Sequence, residues 1–312
     1  LSGADVDEGD ALLDWRALRP AADNFPYTVS KSALAAMTKS MAAELAPKVT
    51  VNGLALGASN AYVTFGTASA IGLPEFTIET WFRRDGTGVS VSTGTGGVTA
   101  IPLLTKGTSE VEGDNRDMNY FLGIRASDGV LIADFEEGAG GTSPGLNHPI
   151  VGVTPITTGT WYHAAATYDG TQWQLFLNGA IENELVVGEP PRDDTIQHGA
   201  LGSSIRSTGT AQGFFNGALD EARVWNYART GTEIGSMINS QIETAQAGLV
   251  ARWGLNEGAG TTVHGSAGTT VNGTITQAGA SREVELQSVN GSVEVTKAAG
   301  RVRAEAVNGA VT

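Results

Sequence analysis

Carboxylates are the side chains of this sequence that could carry chemistry. The run Glu110-Val-Glu-Gly-Asp-Asn-Arg-Asp117 places acids at 110, 112, 114 and 117. Hard oxygen donors at that density suit a calcium ion; Gly113 and the polar flank equally suit a solvated, charged loop. Asp134-Phe-Glu136 sets two acids at alternate positions of a strand. A retaining glycoside hydrolase would need such a pair on one sheet face, about 5 Å apart. The following Glu137-Gly-Ala-Gly-Gly breaks that strand at once, so hydrolysis is not expected. Asp169 lies in Tyr168-Asp-Gly-Thr, where its carboxylate either bonds the backbone of its own turn or offers an oxygen to a metal. Asp220, in Leu219-Asp-Glu-Ala-Arg, either caps the turn after Asn216-Gly217, pairs with Arg223 or ligates a cation.

The other reactive residue types contribute little. There is no Cys, which removes disulfides, thiolate catalysis and Cys-ligated zinc. None of the four His has metal-ligand spacing with another. His163 reads as a structural residue of a strand, and His148, before Pro149, as a solvated loop residue. The formal net charge of −14 argues against a nucleic-acid partner, which needs a basic surface, and fits a calcium protein. No run of 18 apolar residues is present, so no membrane insertion by a helix is expected. The acidic opening Leu1-Ser-Gly-Ala-Asp has no signal-peptide pattern.

Three segments must position these groups. In residues 1–57, Tyr27 to Leu45 lacks Gly and Pro and repeats apolar residues at Val29, Ala33, Leu34, Met37, Met41 and Leu45. That period predicts an amphipathic helix stopped by Pro47, followed by a short buried strand over 49–56. From about Asn60 to Gln277 short apolar runs alternate with turns: Phe76-Thr-Ile-Glu-Thr-Trp-Phe, Tyr120-Phe-Leu-Gly-Ile-Arg and Trp173-Gln-Leu-Phe-Leu. Asp85-Gly86, Asp128-Gly129, Asp169-Gly170, Asn178-Gly179 and Asn216-Gly217 supply the positive φ angles of tight hairpins. With 42 Gly in 312 residues, this predicts a mainly β fold, an antiparallel sandwich or barrel, with one connector helix near 232–246. The third segment, 281–312, carries a repeat: Val-Asn-Gly recurs at 271–273, 289–291 and 307–309, every 18 residues. Such a period suggests stacked β coils, the alternative being unrelated Asn-Gly hairpins.

Residues 1–57 resemble the late part of a short-chain dehydrogenase/reductase, through Tyr27-Thr-Val-Ser-Lys31, Glu44-Leu-Ala-Pro and Val51-Asn-Gly. The resemblance implies a general acid/base Tyr27 beside a pKa-lowering Lys31. A nucleotide-holding Gly-rich turn at a helix N-terminus is missing from the 26 residues before Tyr27. A residual dehydrogenase is therefore only a remote alternative, and Tyr27 and Lys31 are expected on a helix surface.

Residues 59–277 resemble the laminin-G-like group of concanavalin-A-type jelly rolls, in its bacterial form. The residues that carry this are Phe76-Thr-Ile-Glu-Thr-Trp-Phe, Thr160-Trp-Tyr-His-Ala-Ala-Ala-Thr-Tyr-Asp-Gly-Thr and Leu175-Phe-Leu-Asn-Gly. Gly213-Phe-Phe-Asn-Gly-Ala-Leu-Asp-Glu-Ala-Arg-Val-Trp-Asn and Trp253-Gly-Leu-Asn-Glu-Gly continue it in the family's order. The resemblance implies an antiparallel jelly-roll sandwich, one Ca2+ held by Asp220 near Asn60, and a ligand surface at a sheet face or rim. Residues 281–312 resemble bacterial adhesin-like β repeats. The function expected is a non-catalytic, extracellular or cell-surface module binding a glycan or cell-surface polymer, with or without calcium. The alternative is a structural or adhesive subunit that self-associates through sheet edges. Tyr227 and Trp173 are the candidate sugar-stacking rings.

Overall fold

A computed structural model describes residues 54–56, 61–256, 262–268, 271–277, 284–288 and 302–306. The chain divides into two units, Leu1–Val51 and Asn52–Thr312. The predicted helix with Tyr27 and Lys31, and Asn60, lie outside the described residues.

In chain order the elements begin with strands β1 (Leu54–Leu56), β2 (Ala61–Thr64), β3 (Phe76–Arg84), β4 (Val91–Ser92), β5 (Thr99–Lys106), β6 (Tyr120–Arg125) and β7 (Val130–Asp134). They continue with β8 (Ile150–Pro155), β9 (Trp161–Tyr168), β10 (Gln172–Leu177), β11 (Ala180–Val186), β12 (Gly199–Leu201), β13 (Ser203–Ile205), β14 (Ala211–Phe214) and β15 (Gly217–Trp225). After helix α1 (Gly231–Met237) come β16 (Leu249–Trp253), β17 (Thr262–Val263), β18 (Gly265–Gly268), β19 (Gly273–Gln277), β20 (Val284–Ser288) and β21 (Val302–Ala306).

Two antiparallel sheets form the sandwich. One runs β11-β10-β9-β3-β15-β16-β18, with β1 on β15; the other runs β17-β19-β2-β12-β5-β6-β7-β8, with β4 on β5. Period-two alternation explains why these segments pair face to face. On β3, Phe76, Ile78 and Phe82 enter the core between the sheets, and Glu79 and Trp81 point the other way. On β9, Ala164, Ala166 and Tyr168 face the core, and His163 and Ala165 do not. Aromatic rings fill the centre, with Phe135 4.7 Å from Tyr168 and edge-on to Trp173 at 5.5 Å. Each such ring is worth about 1.5–3 kcal/mol in burial. Trp173 is fully buried, with its Nε1 donating to the His148 carbonyl at 2.9 Å. It is a core ring, and sugar stacking by it is excluded.

The outer face of the first sheet is roofed by α1 and its flanks. Ile234 packs on Ala165 and Phe176, and Trp225, Ile242 and Leu249 form a second patch. The helix starts where its capping box dictates: Thr230 Oγ1 accepts from the Glu233 amide, and the Glu233 carboxylate accepts from Thr230. It ends at Met237, well short of the expected 246.

Leu54, Ala55 and Leu56 pair with Leu219, Ala218 and Gly217, so the sandwich takes in residues before 59. The first Val-Asn-Gly copy also belongs to it, since Gly273 opens β19, which pairs with β2. β20 and β21 form a separate parallel pair in which Val284 meets Val302 and Ser288 meets Ala306, an offset of 18 residues. That offset equals the spacing of the sequence repeat, as stacked coils require.

Candidate functional site

The acidic run lies on the loop between β5 and β6, where its carboxylates take three different jobs. Glu110 accepts from Gln197 Nε2 at 2.8 Å and from the Ser207 amide at 2.8 Å, tying three loops together. Asp114 pairs with Arg116 at the surface, 3.1 Å apart. Glu112 and Asp117 converge instead on Glu136, which immediately follows the β7 segment. One carboxylate oxygen from each of these three lies within 4.8 Å of the others. Asp117 and Glu136 are fully buried and Glu112 is exposed, so the group opens to solvent on one side.

Some of these oxygens have protein donors and some do not. Both Glu112 oxygens accept from the Thr95 amide at 3.3 Å, and Oε1 accepts from Ser109 Oγ at 3.1 Å. Asp117 Oδ1 accepts from the Met118 amide at 2.9 Å. Glu136 Oε1 accepts from the Gly113 amide at 3.3 Å and from Arg192 Nε at 3.4 Å. Asp117 Oδ2 and Glu136 Oε2 are buried without a hydrogen-bond donor. Burial pushes both carboxyls above the usual range. The Glu112 charge adds to the rise at Asp117, and the Asp117 carboxyl adds to it at Glu136. Arg192 opposes the rise at Glu136 without cancelling it.

Three converging carboxylates with one lone cation at the edge leave a deficit of positive charge. The donor set is all oxygen, half-open and irregular, which is the chemistry calcium takes; it lacks the imidazole or thiolate of a zinc site. The residues present therefore fit a divalent hard cation. Glu112, Asp117 and Glu136 would hold it, and its charge would replace the protons that Asp117 and Glu136 otherwise retain.

Residues 57–235 match the family model described as the concanavalin A-like lectin/glucanases superfamily. The chain belongs to that superfamily. Among solved structures, a Bacteroides ovatus protein provisionally described as carbohydrate binding aligns at 20% identity with a TM-score of 0.50. The alignment covers 73% of this chain and 59% of that one, so the chain spans about three fifths of that protein's length. A CBM40 module of a Ruminococcus gnavus IT-sialidase, bound to α2,3-sialyllactose, aligns at 17% identity and a TM-score of 0.45, covering 61% of this chain and 97% of that one. No curated protein sequence matches the chain. At these identities the solved structures share the sandwich fold.

Within this superfamily member, the residues expected to bind metal lie elsewhere. Asp169 Oδ1 accepts from the Thr171 amide at 2.8 Å and the Gln172 amide at 2.6 Å, closing the β9–β10 turn. Asp220 is 3% exposed on β15 opposite Trp81, and its Oδ1 accepts from the Glu221 amide at 2.9 Å. Burial, and then the Glu221 charge, push it up to about 7. Arg223 and Arg252 grip Glu221 rather than Asp220. Neither Asp169 nor Asp220 joins the Glu112, Asp117 and Glu136 group. His148 is only partly solvated: its Nε2 lies 3.1 Å from Glu137 Oε2. Tyr227 is half-buried, edge-on to Trp225 at 6.1 Å, with its hydroxyl 3.4 Å from Glu233. Sequence reasoning weighed Glu112 and Asp117 as one loop and Glu136 as half of a hydrolase pair. It did not join them, because they meet only through the fold.

Proposed function

We propose that this protein is a non-catalytic glycan-binding module that works outside the cell or at its surface, with a calcium ion at Glu112, Asp117 and Glu136. The observation that carries the reading is the buried, donor-less pair Asp117 Oδ2 and Glu136 Oε2 beneath the exposed Glu112. A bound cation in such a place orders the loops around it, and these loops form one rim of the sandwich. Superfamily membership and the carbohydrate-binding description of the Bacteroides ovatus protein support a glycan as the ligand. The buried state of Asp117 and Glu136 supports a non-catalytic role, since a glycosidic bond would have to reach both carboxyls.

A second reading, self-association through sheet edges, has its own support. Val153 on β8 and Ile181 and Val186 on β11 are exposed along neighbouring sheet edges.

A glycan array probed with the full chain, once in millimolar calcium and once in chelator, tests the first reading. Selective binding lost on chelation is expected. Binding indifferent to chelation would remove calcium from the reading, and no binding in either condition would remove the glycan.

A further inference from the structure

Asn147, which stands just before β8, is only 4% exposed, and neither its Oδ1 nor its Nδ2 has a hydrogen-bond partner. A buried primary amide with every donor and acceptor unused is rare in a folded protein and calls for an explanation. The backbone around it is fully engaged: the Asn147 amide donates to the Thr95 carbonyl and the His148 amide to the Phe135 carbonyl, each at 2.9 Å. The side chain is therefore held in place by the loop rather than left there by a loose segment.

Two independent contacts show where it is aimed. Glu136 and Asn147 are partners in an antiparallel bridge. Residues opposite one another in such a pair have Cβ atoms about 4.5–5.5 Å apart on the same face. Asn147 thus lies beside the carboxylate at the bottom of the acidic group. The second contact is Gly94, whose φ of +122° few other residues adopt. A Cβ added there would collide with Asn147 Oδ1 and lie 3.0 Å from Glu112 Oε1. The amide oxygen and the Glu112 oxygen therefore border the same small gap, which the absence of a side chain at residue 94 keeps open. An amide oxygen beside a carboxylate oxygen is repulsive unless a positive charge lies between them.

We infer that Asn147 is a neutral fourth ligand, its Oδ1 facing a hard divalent cation shared with Glu112, Asp117 and Glu136. This rests on the cation reading proposed above and extends it to a residue that a search for acids passes over. The ion then ties the β4–β5 hairpin, the β5–β6 loop and both ends of the β7–β8 loop to one point. Calcium coordination commonly mixes carboxylates with amide and carbonyl oxygens in this way. Turning the amide over would instead let Nδ2 donate to Glu112, with no ion needed. The two arrangements respond oppositely to a carboxylate at 147.

The test is calcium titration calorimetry on the full chain after chelation, together with thermal melts in chelator. The wild type is expected to bind calcium. Asn147→Ala should bind it more weakly by on the order of tenfold or more, the loss that even the outer partners of a metal cause. Asn147→Asp should bind at least as tightly as the wild type, and Asn147→Ala should melt no lower than the wild type in chelator. Unchanged calcium affinity in Asn147→Ala overturns the assignment. So does weakened binding in Asn147→Asp, the mark of a lost amide donor. Absence of calcium uptake by the wild type overturns this inference and the cation in the proposed function together. Uptake with no glycan binding overturns the glycan alone.

Discussion

Arg229 Nη1 lies 3.0 Å from Glu79 Oε1, and the same guanidinium stacks 4.3 Å above the Trp225 ring. Trp225 Nε1 donates to that carboxylate oxygen at 2.8 Å, Arg223 Nη1 lies 3.5 Å from it, and His163 Nε2 lies 3.5 Å from Oε2. All of this sits on the outer face of the first sheet. Arg229 also donates to the Glu233 carbonyl and Arg223 to the Met237 carbonyl, so the buried charge cluster fastens α1 to β3 and β15. The acid belongs to the fold's support and not to its ligand chemistry.

Burial by itself would raise the Glu79 pKa, but the His163 contact and the charges of Arg223 and Arg229 outweigh it and hold the carboxyl at about 2. A depressed carboxyl stabilises the folded chain in full above its unfolded pKa near 4.3 and loses that contribution as pH falls toward 2. Glu79→Gln should therefore cost about 3–5 kcal/mol at neutral pH, because two buried arginines lose their counter-charge. Urea denaturation should show the wild type losing its advantage over the variant between about pH 4.3 and 2. An equal advantage at both ends of that window would contradict the assignment.

Lys106 carries the opposite sign. It is fully buried at the end of β5, its Nζ donating to the Thr67, Thr195 and Gln197 carbonyls with no carboxylate partner. Burial pushes its pKa down to about 8. Unfolded, the ammonium titrates near 10.4, so the unfolded chain holds the extra proton between those values and stability should rise with pH from about 8 to about 10.4. The full span is about 3 kcal/mol. Lys106→Met removes the titrating group, and the difference in stability between wild type and variant should vary across this window and be flat below it. A difference constant with pH would mean that the folded lysine keeps its ordinary affinity for a proton.

Glu182 guards an edge. Its Oε2 accepts from the Val153 amide at 2.7 Å and the Thr154 amide at 2.9 Å, occupying donors that the outer side of β8 would otherwise offer to another strand. Thr154 Oγ1 donates to the other oxygen at 2.8 Å. Glu182→Ala frees those donors beside the exposed Val153 and Val186. The variant should show concentration-dependent dimers or larger species in analytical ultracentrifugation under conditions where the wild type shows fewer. Identical sedimentation would show that this edge does not govern association.

Strands were easy to read because a half-buried strand writes its alternation into the chain, as in Phe76-Thr-Ile-Glu-Thr-Trp-Phe. Three of the five turn dipeptides, at 128–129, 169–170 and 178–179, join neighbouring strands, and Asn178 takes a φ of +52° as expected of such a turn. Asp85-Gly86 and Asn216-Gly217 do not. They meet one another, with both the Asp85 and Gly86 amides donating to the Asn216 carbonyl, because β3 and β15 are sheet neighbours far apart in sequence. The acidic site was illegible for the same reason. Glu112 and Asp117 share a loop, but Glu136 and Asn147 reach them through the β7–β8 ladder, a relation that no local spacing records. Asn147 gave no signal at all in the sequence, since its meaning comes from having no partner after burial. Asp220 misled because an acid within a strongly patterned strand looks functional, whereas here it bonds the backbone at a bulge beside Glu221.

The parallel register of β20 and β21 sets a rule for how that segment can change in length. Side chains alternate between faces, so gaining or losing a single residue between Val284 and Val302 would exchange inside for outside along every later rung. Adding or removing a whole 18-residue step leaves the phase untouched. The segment is thus built on a ratchet, in which length changes by complete notches. The jelly roll's surface loops have no such ratchet and accept insertions of arbitrary size.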